Sequence, residues 1–120
     1  MTKTYSPERF RELFREFTER ENTILAWKAG EYSSGNDRLQ NFREIAAGHG
    51  CRPQDVALMY LLKHIQSISL AVRENRYEWE WEKEGGEGMK QRVADSRNYL
   101  LLLAACMDEE SEQDIKYGAQ

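Results

Sequence analysis

The apolar positions of this chain recur at helical spacing almost throughout. The densest run is residues 90–108, KQRVADSRNYLLLLAACMD, which predicts a helix of four or five turns. Near the N-terminus, Ser6-Pro7-Glu8 predicts a helix start: a capping hydroxyl, proline at the first helical position and a carboxylate near the positive end. Phe10, Leu13, Phe14 and Phe17 follow as one apolar stripe, and Ile24, Leu25 and Trp27 extend it to Lys28. Asn22-Thr23 marks a point of interruption or restart, Gly30 a stop, and residues 31–37 (EYSSGND) a polar turn. A second, shorter helix is predicted from Asp37, burying Leu39, Phe42, Ile45 and Ala46, with residues 48–53 (GHGCRP) breaking it.

A third helix is predicted from Pro53 to about Arg73. Ala57, Leu61, Ile65 and Ile68 form one stripe that contains His64; Val56, Met59, Tyr60 and Leu70 form another that contains Lys63. Two apolar stripes imply a central helix touched from two sides. In residues 75–88, NRYEWEWEKEGGEG, the residues Tyr77, Trp79 and Trp81 alternate with glutamates, which suits a strand or an extended arm. With no similar stripe to pair with, this arm is expected to lie across the helices or on a second subunit, so Trp79 and Trp81 are the candidate interface residues. The fold class is therefore all-α: a four-helix, bundle-like domain with an extended aromatic loop before the last helix. Residues 108–120 are an acidic tail expected to fray.

Composition narrows the classes. The 120 residues make one domain with a real core, and 32% charged residues with only two prolines suit a helical protein. A net charge of −4 disfavours a general nucleic-acid binder. No apolar run is long enough to span a membrane, and the opening MTKTYSPERF lacks the pattern of a signal peptide, so a cytoplasmic location is expected. Cys51 and Cys106 have no metal-ligand spacing and read as reduced, partly buried thiols. The largely apolar third and fourth helices, with the aromatic arm, predict a homodimer or higher homo-oligomer.

No phosphate-cradling glycine loop, His-Glu-x-x-His or Gly-x-Ser-x-Gly is present. The candidate chemistry rests on polar residues standing where apolar ones belong: Lys28, Glu31, Lys63, His64, Asp95 and Asn98, with Asp37 and Asn41 on the short helix. Asp95 and Asn98 share a helix face with Tyr99 and Leu102, and a buried carboxylate is costly unless paired. Its candidate partners are Lys63, His64 and Lys28, or a divalent ion shared with Glu31 and His64. Each residue also has a structural role open to it: a packed histidine, a snorkelling lysine, a helix-capping Asp37.

Four blocks, Lys28-x-x-Glu31-Tyr32, Asp37-Arg38-Leu39-x-Asn41-Phe42, Lys63-His64-x-x-Ser67-Ile68 and Asp95-x-x-Asn98-Tyr99-Leu100, resemble small uncharacterised proteins of bacteriophages and prophages. The resemblance covers roughly residues 24–107, which implies a family-like core there with residues 1–23 as an added N-terminal helix. More distantly these are similar to the all-α MazG-like nucleotide pyrophosphohydrolases, oligomeric bundles that use Mg²⁺ to cleave nucleoside triphosphates. The resemblance implies a phage accessory protein in the host cytoplasm that binds or hydrolyses a nucleotide between its helices, with Lys28, Lys63, His64 and Asn98 as ligand-binding residues and Glu31 and Asp95 for Mg²⁺. The chain departs from the MazG pattern of Glu-Glu-x-x-Glu and Glu-x-x-Asp: Arg92 stands at the later Glu, and the third helix carries Lys63-His64 with no acidic cluster. Either Glu31 and Asp37 supply the missing carboxylates, or Lys28, Lys63 and His64 hold phosphate as point charges. The other class is a non-catalytic helical oligomer that inhibits a host defence protein or sequesters a small ligand.

Overall fold

A computed structural model describes residues 3–32 and 37–116, without the side chains of residues 24–32 and 113–116. It contains the helices α1 (Pro7–Tyr32), α2 (Gln40–His49), α3 (Pro53–Glu74) and α4 (Met89–Lys116), with a hairpin of β1 (Glu82–Lys83) and β2 (Gly86–Glu87) between the last two helices. Among the described residues the fold is thus all-α apart from one small antiparallel sheet. No helix among them is long and apolar enough to cross a membrane.

Most helix starts follow their local chemistry. Ser6 Oγ accepts the Arg9 amide at 3.0 Å, capping α1. At the start of α3, the Asp55 carboxylate accepts the Arg52 amide at 2.9 Å and its guanidinium at 3.1 Å, which lowers the Asp55 pKa. Helix α2 begins at Gln40 and not at Asp37. Asp37 instead accepts the Leu39 amide at 3.1 Å and pairs with Arg43, so it organises the turn ahead of the helix.

α1 and α4 are longer than the sequence suggests. α1 runs through Asn22-Thr23 and Gly30 without a break. The Thr23 hydroxyl bonds back to the Glu19 carbonyl at 3.1 Å, which satisfies it inside the helix, and a single glycine costs only about 1 kcal/mol. α4 extends past Asp108 to Lys116, so residues 108–116 of the acidic tail are helical. Glu109 pairs with Arg43 of α2 at 2.6 Å and Glu110 accepts from Gln54 of α3 at 2.8 Å, pinning the extra turns.

The aromatic alternation Tyr77–Trp81 itself forms no strand, but the short stretch just beyond Trp81 does. Its partner is the glycine-rich stretch that follows it: Glu82 pairs with Glu87 and Lys83 with Gly86. Gly85 supplies the positive φ of 85° that the two-residue turn needs. The arm then caps α4 with its main chain. The amides of Gly88, Met89 and Lys90 donate to the carbonyls of Trp81, Glu78 and Trp79 at 2.9, 2.7 and 3.1 Å. These are donors that an uncapped helix would leave without partners.

α3 and α4 lie antiparallel, since Gln54 meets Glu110 while Tyr60 and His64 meet Tyr99. α2 packs on this pair to make the main core, from Leu39, Phe42, Ala46, Val56, Ala57, Leu102 and Cys106. A smaller cluster joins α1 to α4 through Phe17 and Ala94, with Leu13, Trp81 and Val93 against it. The predicted stripe on α1 is only half covered: Phe10 and Phe14 are exposed. Cys106 is buried, which raises its thiol pKa, whereas Cys51 is exposed; both are free.

Candidate functional site

The antiparallel crossing of α3 and α4 builds a line of rings. Phe42 meets Tyr60 edge-on at 6.2 Å, Tyr60 stacks on Tyr99 at 5.6 Å, and Tyr99 stacks on His64 at 5.1 Å. Beside these rings opens a cleft of about 670 Å³. Tyr60, Lys63, His64 and Ser67 line it from α3, Arg92 and Tyr99 from α4, and Lys83 with Gly85, Gly86 and Glu87 from the hairpin. Helical spacing explains the α3 set: residues 63 and 64 lie three and four positions beyond 60, and 67 lies three and four beyond them. The tight turn explains the hairpin set, since it folds Lys83 back over the glycines.

The charge of the cleft opposes that of the chain. Lys63, Lys83 and Arg92 line it with His64, against the single carboxylate of Glu87. Among the described residues, none of Lys63, Lys83 and Arg92 forms an ion pair. Three cations without counter-ions, converging on one concavity, favour an anion there. A second, more apolar pocket of about 290 Å³ adjoins the cleft, lined by Ile45, His49, Cys51, Val56 and Met59, and shares Tyr60 and Lys63 with it.

The residues singled out from the sequence divide between two places. Lys63 and His64 line the cleft, Lys63 exposed and His64 half-buried. Asp95 and Asn98 are buried but do not line it. The Asp95 carboxylate is met by an amide: Gln91 Nε2 donates to Asp95 Oδ1 at 3.0 Å, and Arg20 donates to Gln91 Oε1 at 2.8 Å. Asn98 Oδ1 is buried with no hydrogen-bond partner among the described residues. The side chains of Lys28 and Glu31 lie outside the described residues. Among the described residues no three His, Cys, Asp or Glu side chains are grouped to hold a metal ion, and the cationic lining of the cleft does not suit one.

Trp81 is engaged within the chain. It packs on Phe17 at 5.0 Å, lies 4.9 Å from the Arg20 guanidinium, and donates from Nε1 to Glu16 at 2.7 Å. Lys90, buried beneath the arm, donates to the same Glu16 oxygen at 2.8 Å and lies 5.3 Å from the Trp79 ring. Trp79 itself is 40% exposed. The sequence reading missed Lys83 and Tyr60 as site residues. It met Arg92 only as a departure, in the place of a family carboxylate, and that exchange of sign was the available signal.

Comparison with protein-family models, characterised proteins and solved structures finds no match for the chain. Its class is therefore defined by its own architecture: an all-α protein in which a short β-hairpin closes one end of a cationic, aromatic-walled cleft.

Proposed function

We propose that the cleft binds a nucleotide or a closely similar phosphorylated aromatic ligand. The observation that carries this is the convergence of Lys63, Lys83 and Arg92, without ion-pair partners among the described residues, beside the Tyr60–Tyr99–His64 stack in a chain of net charge −4. Lysines hold phosphate oxygens as point charges and arginine can hold two at once. Base–aromatic stacking contributes roughly 1–3 kcal/mol per base. The Tyr60 wall and the apolar pocket behind it give a base somewhere to lie next to phosphates held by the cations.

Binding is favoured over hydrolysis. MazG-like cleavage needs several carboxylates around Mg²⁺; here the cleft is cationic, and Asp95 is bonded to Gln91. Magnesium entering with a nucleoside triphosphate remains part of the proposal as the ligand's own counter-ion. The role that fits is a phage or prophage accessory protein that holds a nucleotide in the host cytoplasm. The other reading, a helical oligomer that inhibits a host protein, is supported by the exposed Tyr5, Phe10 and Phe14 along the start of α1.

Calorimetric titration with a nucleoside triphosphate, its monophosphate and inorganic triphosphate, each with and without Mg²⁺, separates these readings. The nucleoside triphosphate is expected to bind most tightly, and Arg92→Ala to weaken it by about 1.5–3 kcal/mol, the worth of a charge-assisted bond. Absence of binding by all three ligands, with the chain folded, would refute the nucleotide reading. Release of pyrophosphate would turn it into the enzymatic one.

A further inference from the structure

Among the described residues, α2 covers one face of the α3–α4 pair, and α1 meets the N-terminal half of α4 through Phe17 and Ala94. Tyr60 and Val56 of α3, with Leu102 and Cys106 of α4, pack into the core that α2 completes. Positions two residues away from these lie about 160° around a helix. Leu58, Leu62 and Leu100 therefore point to the opposite face. Ile65 and Val72 repeat Leu58 at intervals of seven, and Met107 repeats Leu100. These six side chains are 41–54% exposed. Together they present on the order of 600 Å² of apolar surface, comparable with the ~800 Å² that each partner gives to a standard interface.

Three features identify the occupant. Among the described residues more large hydrophobic side chains are exposed than buried, and the radius of gyration is 17.5 Å where about 14 Å is usual for this length. A single copy thus leaves its core unfinished. The α3 seam is also symmetric about Ile65, with Leu58 and Val72 seven residues to either side. A two-fold rotation there sets Leu58 of one copy against Val72 of the other. Finally, Asp55 and Arg73 stand on one flank of α3, eighteen residues or five whole turns apart. Antiparallel pairing brings the Arg52-bonded Asp55 of one α3 within about a turn of Arg73 of the other.

We propose that a second copy of this chain covers the face opposite α2, with the two α3 helices antiparallel and crossing near Ile65. Tyr60, Lys63 and Ser67 lie on the α2 side, so the pairing leaves a cleft open on each copy. The dimer does not depend on what the cleft binds.

Sedimentation equilibrium on the full chain at tens of micromolar tests this. The expected mass is about 28 kDa, twice the 14.1-kDa chain. Leu62→Lys combined with Ile65→Lys should raise the dissociation constant by at least about 30-fold, the effect of an interface hot spot, with far-ultraviolet helicity retained. Phe10→Lys with Phe14→Lys should leave the mass unchanged. Ile65→Cys in a Cys51→Ser background should form a cross-linked dimer on mild oxidation, and this decides the matter if the double-lysine chain unfolds. A monomeric parent, a larger assembly, a folded double-lysine variant that stays dimeric, dissociation by the Phe10/Phe14 pair, or no cross-link at position 65 would each overturn the assignment.

Discussion

Lys90 is the residue on which the small α1–α4 cluster turns. Its side chain is only 6% exposed, and its ammonium meets Glu16 at 2.8 Å and Glu80 at 3.5 Å. Glu16 also takes the Trp81 indole N–H, so one carboxylate ties α1, the arm and α4 together. Glu16→Gln is expected to cost on the order of 3 kcal/mol, because it deprives a buried ammonium of its main counter-ion, and Lys90→Met made alongside it should recover much of that loss. Urea unfolding of the parent, both single variants and the double variant measures the coupling. The bonds from Lys90, then from Trp81, hold the Glu16 pKa below its ordinary value of 4.5. A depressed carboxylate stabilises the fold fully above its unfolded pKa, and that contribution disappears as pH falls through the folded one. The stability gap between parent and Glu16→Gln should therefore be constant above about pH 5.5 and close on further acidification.

The sequence was informative at this scale about burial and less so about partners. Asp95 interrupts an apolar helix, and it is indeed buried. Its partner, Gln91, is one turn back on the same helix and offers no charge for a pattern search to match. Glu16 looks like one more solvated carboxylate among the charges of α1. Its importance depends on Lys90 and Trp81, 74 and 65 residues away.

At the scale of elements, apolar spacing located all four helices, and the third nearly to the residue. The errors fall where a bond between elements decides the boundary. α4 outlasts its apolar run because Arg43 and Gln54 hold Glu109 and Glu110. The hairpin was hidden because its second strand is glycine and glutamate, residues with little preference for strands. Gly88 deserves a direct test. A Cβ there would run into the Glu80 carbonyl, part of the main chain that caps α4. Gly88→Ala is expected to destabilise by about 2–3 kcal/mol, since the clash is with backbone that can yield only by loosening the cap. Gly86→Ala, with open space around it, is the control. Thermal unfolding followed by circular dichroism would show the difference.

For the molecule as a whole, the contrast between overall and local charge has a measurable result. The chain carries −4, while the cleft gathers Lys63, Lys83 and Arg92. Anion binding by cations in such an open cleft weakens as the Debye length shrinks, from about 10 Å at 0.1 M salt to about 3 Å at 1 M. Raising the salt across that range should weaken nucleoside triphosphate binding steeply while changing the unfolding midpoint little, and titrations paired with melts would show it. Helix count and class were legible at this scale. The cleft was only partly so, because Lys63-His64 stood out on an apolar stripe whereas Lys83 reaches the cleft through a turn.

The cap on α4 is made of carbonyls, and every amino acid has one. Glu78, Trp79 and Trp81 hold the helix start through atoms that no substitution removes, short of a change that redirects the chain. The exposed glutamates of the arm other than Glu80, which meets Lys90, are thus free to vary without loosening that end of the fold, while Gly88, with no side chain at all, is not. In homologous chains this predicts drift at Glu78, Glu82 and Glu84 beside an unchanging glycine. The surface next to the cleft could then be retuned in charge from one lineage to the next while the helix beneath it keeps its place.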